Sequence, residues 1–247
     1  MSRKGGIGRF IFKVLLWCFG VSVLWVVALK FVPVYFTPLM IIRAVEQKSD
    51  GKEMKCHHKW VPLSEINTNL PLAVVSSEDN LYMEHHGFDF KAIGDAIEEA
   101  REGKRQRGGS TISQQTAKNV FLWPGHSFVR KGLEAYFTVL IELIWGKERI
   151  MEVYLNSIEM GDGIYGAEAV ANDNFGKCAK NLTRAESARI AATLPNPRRF
   201  DSAHPSKYIL RRTGKIQRLM RLVENPQMGY GAKKAEAKDK KEKKKKK

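Results

Sequence analysis

The sequence predicts a mainly α-helical protein. Hydrophobic residues recur at helical spacing through most of the chain, no stretch alternates long enough for an extended strand, and the connecting segments are short. A length of 247 residues with 43% hydrophobic content accommodates one medium-sized domain with appendages.

Arg3, Lys4, Arg9 and Lys13 precede an uncharged run from Val14 to Leu29, which Lys30 closes. A spanning helix needs about 20 apolar residues, and Phe10 to Val32 supplies them if Lys13 and Lys30 reach the two interfaces. Residues 10–32 therefore read as a transmembrane anchor, and the positive flank places residues 1–9 in the cytoplasm. No small-x-small site follows cleanly, which argues against a cleaved signal peptide.

Pro33 and Pro38 prevent the span from continuing as a regular helix. Phe31 to Ile42 is left to lie in the membrane interface or to pack on the domain. Residues 33–59 form a membrane-proximal segment and linker, whose polar part from Glu46 to Lys59 reads as a linker or surface hairpin. Ser49-Asp50-Gly51-Lys52 has the Ser-x-x-Lys form without its companion motifs. Cys56-His57-His58 lacks a usual metal-ligand spacing, and neither is assigned chemistry.

The main domain follows from residue 60 to 230. Asp89 caps a helix that turns Ile93, Ile97 and Ala100 inward, and Arg101 to Arg107 forms a basic lead into the next element. Leu133, Tyr136, Phe137, Leu140, Ile141 and Ile144 mark a strongly amphipathic helix, and Lys147 to Asn156 reads as another. Gly161, Gly163 and Gly166 make a tight turn around Tyr165. Thr183-x-x-Glu186 is a capping box opening a helix that stops at Leu194-Pro195. Cys18, Cys56 and Cys178 read as unpaired thiols. The formal charge is +16, and in residues 231–247 ten lysines face only Glu236, Asp239 and Glu242, so this tail is expected to be disordered.

Chemistry concentrates between Ala73 and Glu134. Glu78 follows the apolar run Leu72-Ala73-Val74-Val75, so it is expected at a buried edge where lost solvation favours the protonated form and equips it as a base. Glu134 lies on the amphipathic helix with Arg130 one turn before it and Lys131 beside it. Between the two acids, a helix beginning near Ser110 carries Thr111, Gln115 and Lys118 on one side, and its first-turn amides would suit an anion.

The order Glu78-Asp79-x-x-Tyr82-x-x-His85-x-Gly87, Gly108-Gly109-Ser110-Thr111-Ile112-Ser113-Gln114-Gln115, Arg130-Lys131-x-x-Glu134, Arg149-Ile150-x-Glu152-x-Tyr154-Leu155-Asn156 and Gly161-Asp162-Gly163-Ile164-Tyr165-Gly166 resembles the family 51 peptidoglycan glycosyltransferases, in particular their monofunctional transglycosylases. The match runs from about Val34 to about Arg221. The resemblance implies a lysozyme-like, two-lobed glycosyltransferase domain at 60–230 that polymerises lipid II and releases undecaprenyl diphosphate. It implies Glu78 as general base and Glu134 as support for the donor pyrophosphate, directly or through a divalent ion, magnesium or manganese, with no organic cofactor. Thr111, Gln115, Lys118, Asn119, His126 and Lys131 would bind substrate, with no metal-ligand residues assigned. The implied partners are lipid II, the nascent glycan strand and the inner membrane, with transpeptidases and the division or elongation machinery beside them, and no nucleic acid. The catalytic domain would lie outside the cytoplasm.

The chain departs from the family pattern in four places. Tyr82 replaces a Phe, His126 an Arg, Asn174 a Tyr and Lys215 a Trp. A histidine lacks the guanidinium fork, so His126 is expected to weaken a phosphate contact or make it pH dependent. Two other functions stay open from the residues alone: a lysozyme-like hydrolase using both carboxylates, and an anchored scaffold that binds glycan without reacting.

Overall fold

The structure is a computed structural model that describes residues 4–103, 109–125 and 127–223. Gly108, His126, the basic lead from position 104 and the lysine-rich tail lie outside the described residues.

The fold is mainly helical. Helix α1 (Lys4–Phe31) contains the stretch Gly8–Phe31, which is long and apolar enough to cross a membrane. The chain breaks at Pro33, as its missing N–H requires. It then enters α2 (Pro38–Ser49), where Thr37 caps the helix and Pro38 takes the first helical position. The linker expected from Glu46 is thus helical as far as Ser49. The reason is tertiary: Gln47 is buried and its amide oxygen accepts the Lys55 N–H, while α2 packs on α5.

Further on come α3 (Asn69–Glu78), α4 (Phe90–Arg101), α5 (Ile112–Phe121), α6 (Phe128–Ile144), α7 (Lys147–Ser157), α8 (Ala167–Phe175), α9 (Arg184–Thr193) and α10 (Lys207–Leu219). Asp89 accepts the Ala92 N–H and opens α4, and Thr183 with Glu186 forms the expected capping box of α9. The small sheet comprises β1 (His57–His58), β2 (Glu159–Gly161) and β3 (Ile164–Tyr165), in the order β1-β3-β2. Cys56-His57-His58 is therefore not simply a surface loop. His57 and His58 pair in parallel with β3, and the His57 N–H donates to Gly163 O. A Cβ on Gly163 would fall 2.5 Å from the Lys55 carbonyl oxygen, at a φ of +72°, so this approach requires glycine.

Two packing groups meet in one core. Helices α3, α9 and α10 pack on one another, while α5 packs against α6 and α7. Helix α1 joins the second group. Trp145 Nε1 donates to Val26 O at 2.7 Å, the Tyr136 and Ser22 hydroxyls share a hydrogen bond of 2.7 Å, and Trp25 meets Phe121 edge-on. Arg149 donates to Leu29 O and Val32 O at 2.8 and 2.6 Å, capping the carbonyl end of α1.

Candidate active site

The site forms where the two packing groups face each other. From the first comes Glu78, the last residue of α3, with Leu70 to Ser76 buried behind it. Its Oε1 accepts from Ser77 Oγ at 3.0 Å and stands 3.6 Å from Arg212 Nη2. Burial pushes the Glu78 carboxyl up, while the Ser77 hydroxyl, the Arg212 guanidinium and the Gln115 amide pull the other way. Burial prevails, so the Glu78 carboxyl stands above the ordinary carboxylate range.

Asp79 closes α3 and has a different task. Its Oδ2 accepts the Ile112 N–H at 2.9 Å, and its Oδ1 lies 2.8 Å from His85 Nε2. The Gly87 N–H donates to His85 Nδ1, so Nε2 carries the proton and donates to Asp79. Thr111 Oγ1 in turn donates to Gly87 O at 2.6 Å. Asp79, His85, Gly87 and Thr111 thereby fasten the loop after α3 to the start of α5. Tyr82 is fully buried and its hydroxyl donates to Lys147 O at 2.7 Å, a bond that a phenylalanine could not make.

The second group supplies the cations. Glu134 is buried on α6, where Arg130 Nη1 donates to its Oε2 at 2.8 Å and Lys131 Nζ reaches its Oε1. Lys118, half-buried on α5, feels Glu134, Arg130 and Lys131, and burial is the main cause that pulls its pKa down. Gln115, Lys118, Asn119, Arg130, Arg43 and Glu159 line a cavity of about 300 Å³. Gln115 lies between this cavity and Glu78: it lines the cavity, helps pull the Glu78 pKa down, and accepts from the Tyr154 hydroxyl at 3.2 Å.

The first turn of α5 differs from the anion-ready turn expected from the sequence. The Ile112 N–H is taken by Asp79, and Thr111 and Gln114 satisfy each other in a capping box. Thr111 is buried, with its hydroxyl also donating to Gly87 O. Positive charge in the site therefore comes from side chains. Nor do the acids form a metal cage: both Glu134 oxygens are held by cations, and among the described residues no group of three or more His, Cys, Asp or Glu could hold a metal ion.

Arg212 and Ser77 escaped the sequence reading, and Tyr154 entered it only as part of a motif, without its contact to Gln115. Arg212 had a visible signal, because it stands beside the buried stripe of Ile209, Thr213 and Ile216 on α10, where an arginine is pointed toward the core edge. The other departures are local: Asn174 Nδ2 donates to Ser202 Oγ at 2.7 Å, and Lys215 is exposed, so α10 packs without the usual Trp.

The structure thus combines an apolar N-terminal helix long enough to cross a membrane, a helical domain, and a half-buried carboxylate near a cavity lined by cations. The family model described as Transglycosylase matches residues 46–221, and the chain belongs to that family. It is 55% identical over 239 residues to a biosynthetic peptidoglycan transglycosylase of Bacteroides thetaiotaomicron, covering 96% of each chain. Proteins of the same name from Caulobacter vibrioides and Bdellovibrio bacteriovorus are 56% and 50% identical, over 77% and 87% of this chain and 81% and 86% of theirs.

Proposed function

We propose that this peptidoglycan transglycosylase polymerises lipid II at the outer face of the inner membrane, with α1 crossing the bilayer and its N-terminus in the cytoplasm. The carrying observation is the cavity lined by Arg43, Lys118 and Arg130, whose wall residue Gln115 also acts on the half-buried Glu78. A finished glycan offers nothing for such a cavity to bind, whereas a lipid diphosphate carries its leaving group there.

In this reading Glu78 takes the proton from the acceptor sugar's 4-hydroxyl as that oxygen attacks the donor's anomeric carbon. The bond from that carbon to the diphosphate breaks, and its electron pair leaves with undecaprenyl diphosphate. Attack from the opposite face inverts the carbon and forms a β-1,4 link. Lys118 and Lys131 balance the charge that develops on the leaving group, while Gln115 and Asn119 orient the donor. Glu134 holds Arg130 and Lys131 in place, and Thr111 positions α5 through its cap. A divalent ion, magnesium or manganese, would reach the site as counter-ion of the substrate's diphosphate.

The hydrolase reading loses support from Glu134, whose two oxygens are already engaged and which is therefore a poor second carboxylate for hydrolysis. The experiment is polymerisation of labelled lipid II by the detergent-solubilised chain. Glu78→Gln should lower kcat by about 100- to 10,000-fold while the protein stays folded. Retained polymerisation in that variant, or release of soluble muropeptides from finished glycan by the native chain, would overturn the assignment.

A further inference from the structure

The cavity has one wall outside the motifs that carry the resemblance. Arg43 reaches it from α2, the helix that follows the membrane anchor, and faces the space lined by Gln115, Lys118, Asn119 and Arg130. Its position is well determined: α2 is capped by Thr37, packs on α5 and is tied to Lys55 through Gln47. The Arg43 guanidinium pairs with Glu46 through one nitrogen only. Its side chain is 24% exposed, and Arg130 lines the same cavity. Arg130 pairs with Glu134 through Nη1, so two arginines that each give one nitrogen to an acid line one cavity, a charge pattern that suits an anionic acceptor.

The neighbouring cavity makes that acceptor specific. Pro38, also on α2, lines a second pocket of about 270 Å³ with Trp25, Leu29, Tyr35, Phe36 and Val120. Val120 follows Asn119 directly, and Pro38 precedes Leu39, so within single turns α2 and α5 each line both the apolar pocket beside α1 and the cationic cavity. A molecule that joins an isoprenoid to a diphosphate matches that sequence of surfaces.

We propose that Arg43 is a ligand of the substrate's diphosphate, so that the helix behind the membrane anchor completes the anion site. This rests on the lipid-diphosphate reading given above. Arg43 binds phosphate oxygens through the guanidinium nitrogens that Glu46 leaves open, on the side facing Lys118 and Arg130.

The test compares the full chain with Arg43→Ala, Arg43→Lys, Glu46→Gln and Lys118→Ala. Two constants are read: KM for lipid II, and the inhibition constant of farnesyl diphosphate as competitor. Arg43→Ala should raise both by about tenfold or more, the factor expected for losing a charge-assisted hydrogen bond, with kcat changed far less. Arg43→Lys should recover part of the loss, since it keeps the charge and lacks the fork. Glu46→Gln should stay within about threefold, because its partly exposed pair with Arg43 contributes little.

If Glu46→Gln reproduces the loss seen in Arg43→Ala, Arg43 is a structural residue and the proposal fails. It fails as well if Arg43→Ala leaves both constants unchanged while Lys118→Ala raises them, in which case the anion site stands without Arg43. If neither Arg43→Ala nor Lys118→Ala affects inhibition by farnesyl diphosphate, the diphosphate site itself is refuted.

Discussion

Burial moves Glu78 and Lys118 in opposite directions, and with the roles proposed for them that would set the pH window of the reaction. Desolvation raises the Glu78 carboxyl above the ordinary 4.5 and lowers the Lys118 ammonium below the ordinary 10.5. A base must be ionised and a phosphate-binding lysine protonated, so the window narrows from both sides. A profile of kcat/KM against pH should show an acid limb above 4.5 that belongs to Glu78 and an alkaline limb below 10.5 that belongs to Lys118. An acid limb at the ordinary carboxyl value would contradict the burial argument. The stability sign is also fixed. Because Glu78 has a raised pKa in the fold, its contribution is present below the unfolded value and is lost as pH rises through the folded one. Glu78→Gln should therefore melt no lower than the native chain near neutrality. At this scale the sequence was informative wherever chemistry follows from a local run. Glu78 after four apolar residues and Arg130 one turn before Glu134 are both placed as expected. Arg212 was not legible as a partner, since it lies 134 positions from Glu78 and only the packing of α10 on α3 brings the two together.

At the scale of elements, α5 and α1 show how neighbours redefine a helix end. The start of α5 was expected to leave amides for an anion, yet Asp79 crosses from α3 to take the Ile112 N–H and the capping box closes on itself. Sequence periodicity locates the helix but not the group that arrives at its terminus from elsewhere. The carbonyl end of α1 is likewise satisfied from afar by Arg149 on α7, which also lies over the Trp60 ring. Arg149→Ala should cost roughly 2 kcal/mol by leaving the Leu29 and Val32 carbonyls without this donor. The check is a thermal melt of the full chain in detergent beside Arg149→Lys, which should recover only part because it lacks the fork. A melt unchanged in Arg149→Ala would mean that water or lipid headgroups satisfy those carbonyls equally well.

For the whole molecule, one packing group carries Glu78 and the other carries Lys118, Arg130 and Lys131, with α1 as a structural member of the second group. Val26 is fully buried, and Trp25 packs edge-on against Phe121 at 5.3 Å between ring centres. Helix α1 is therefore a packed part of the fold. A chain beginning at Pro33 should lose those contacts and the indole bond of Trp145, and melt roughly 5–10 °C lower, as expected for losing about 2–4 kcal/mol in a domain of this size. It should also expose an apolar seam along α6 that promotes aggregation outside detergent. Equal stability of the shortened domain would show that α1 rests on α6 without supporting it.

The sequence by itself determined the helical class, the apolar helix and the order of motifs. These depend on residue type, spacing and burial along single segments, which a linear reading resolves. Only the tertiary structure decided how Glu134 is used, because its partners Arg130 and Lys131 occupy both oxygens once α6 is packed. It also decided that α2 reaches the cavity with Arg43, that His57 and His58 join a sheet, and that Thr111 faces inward to Gly87 rather than outward. Each of these is a contact between distant segments, and its geometry is set by how the helices pack, not by the pattern within any one of them.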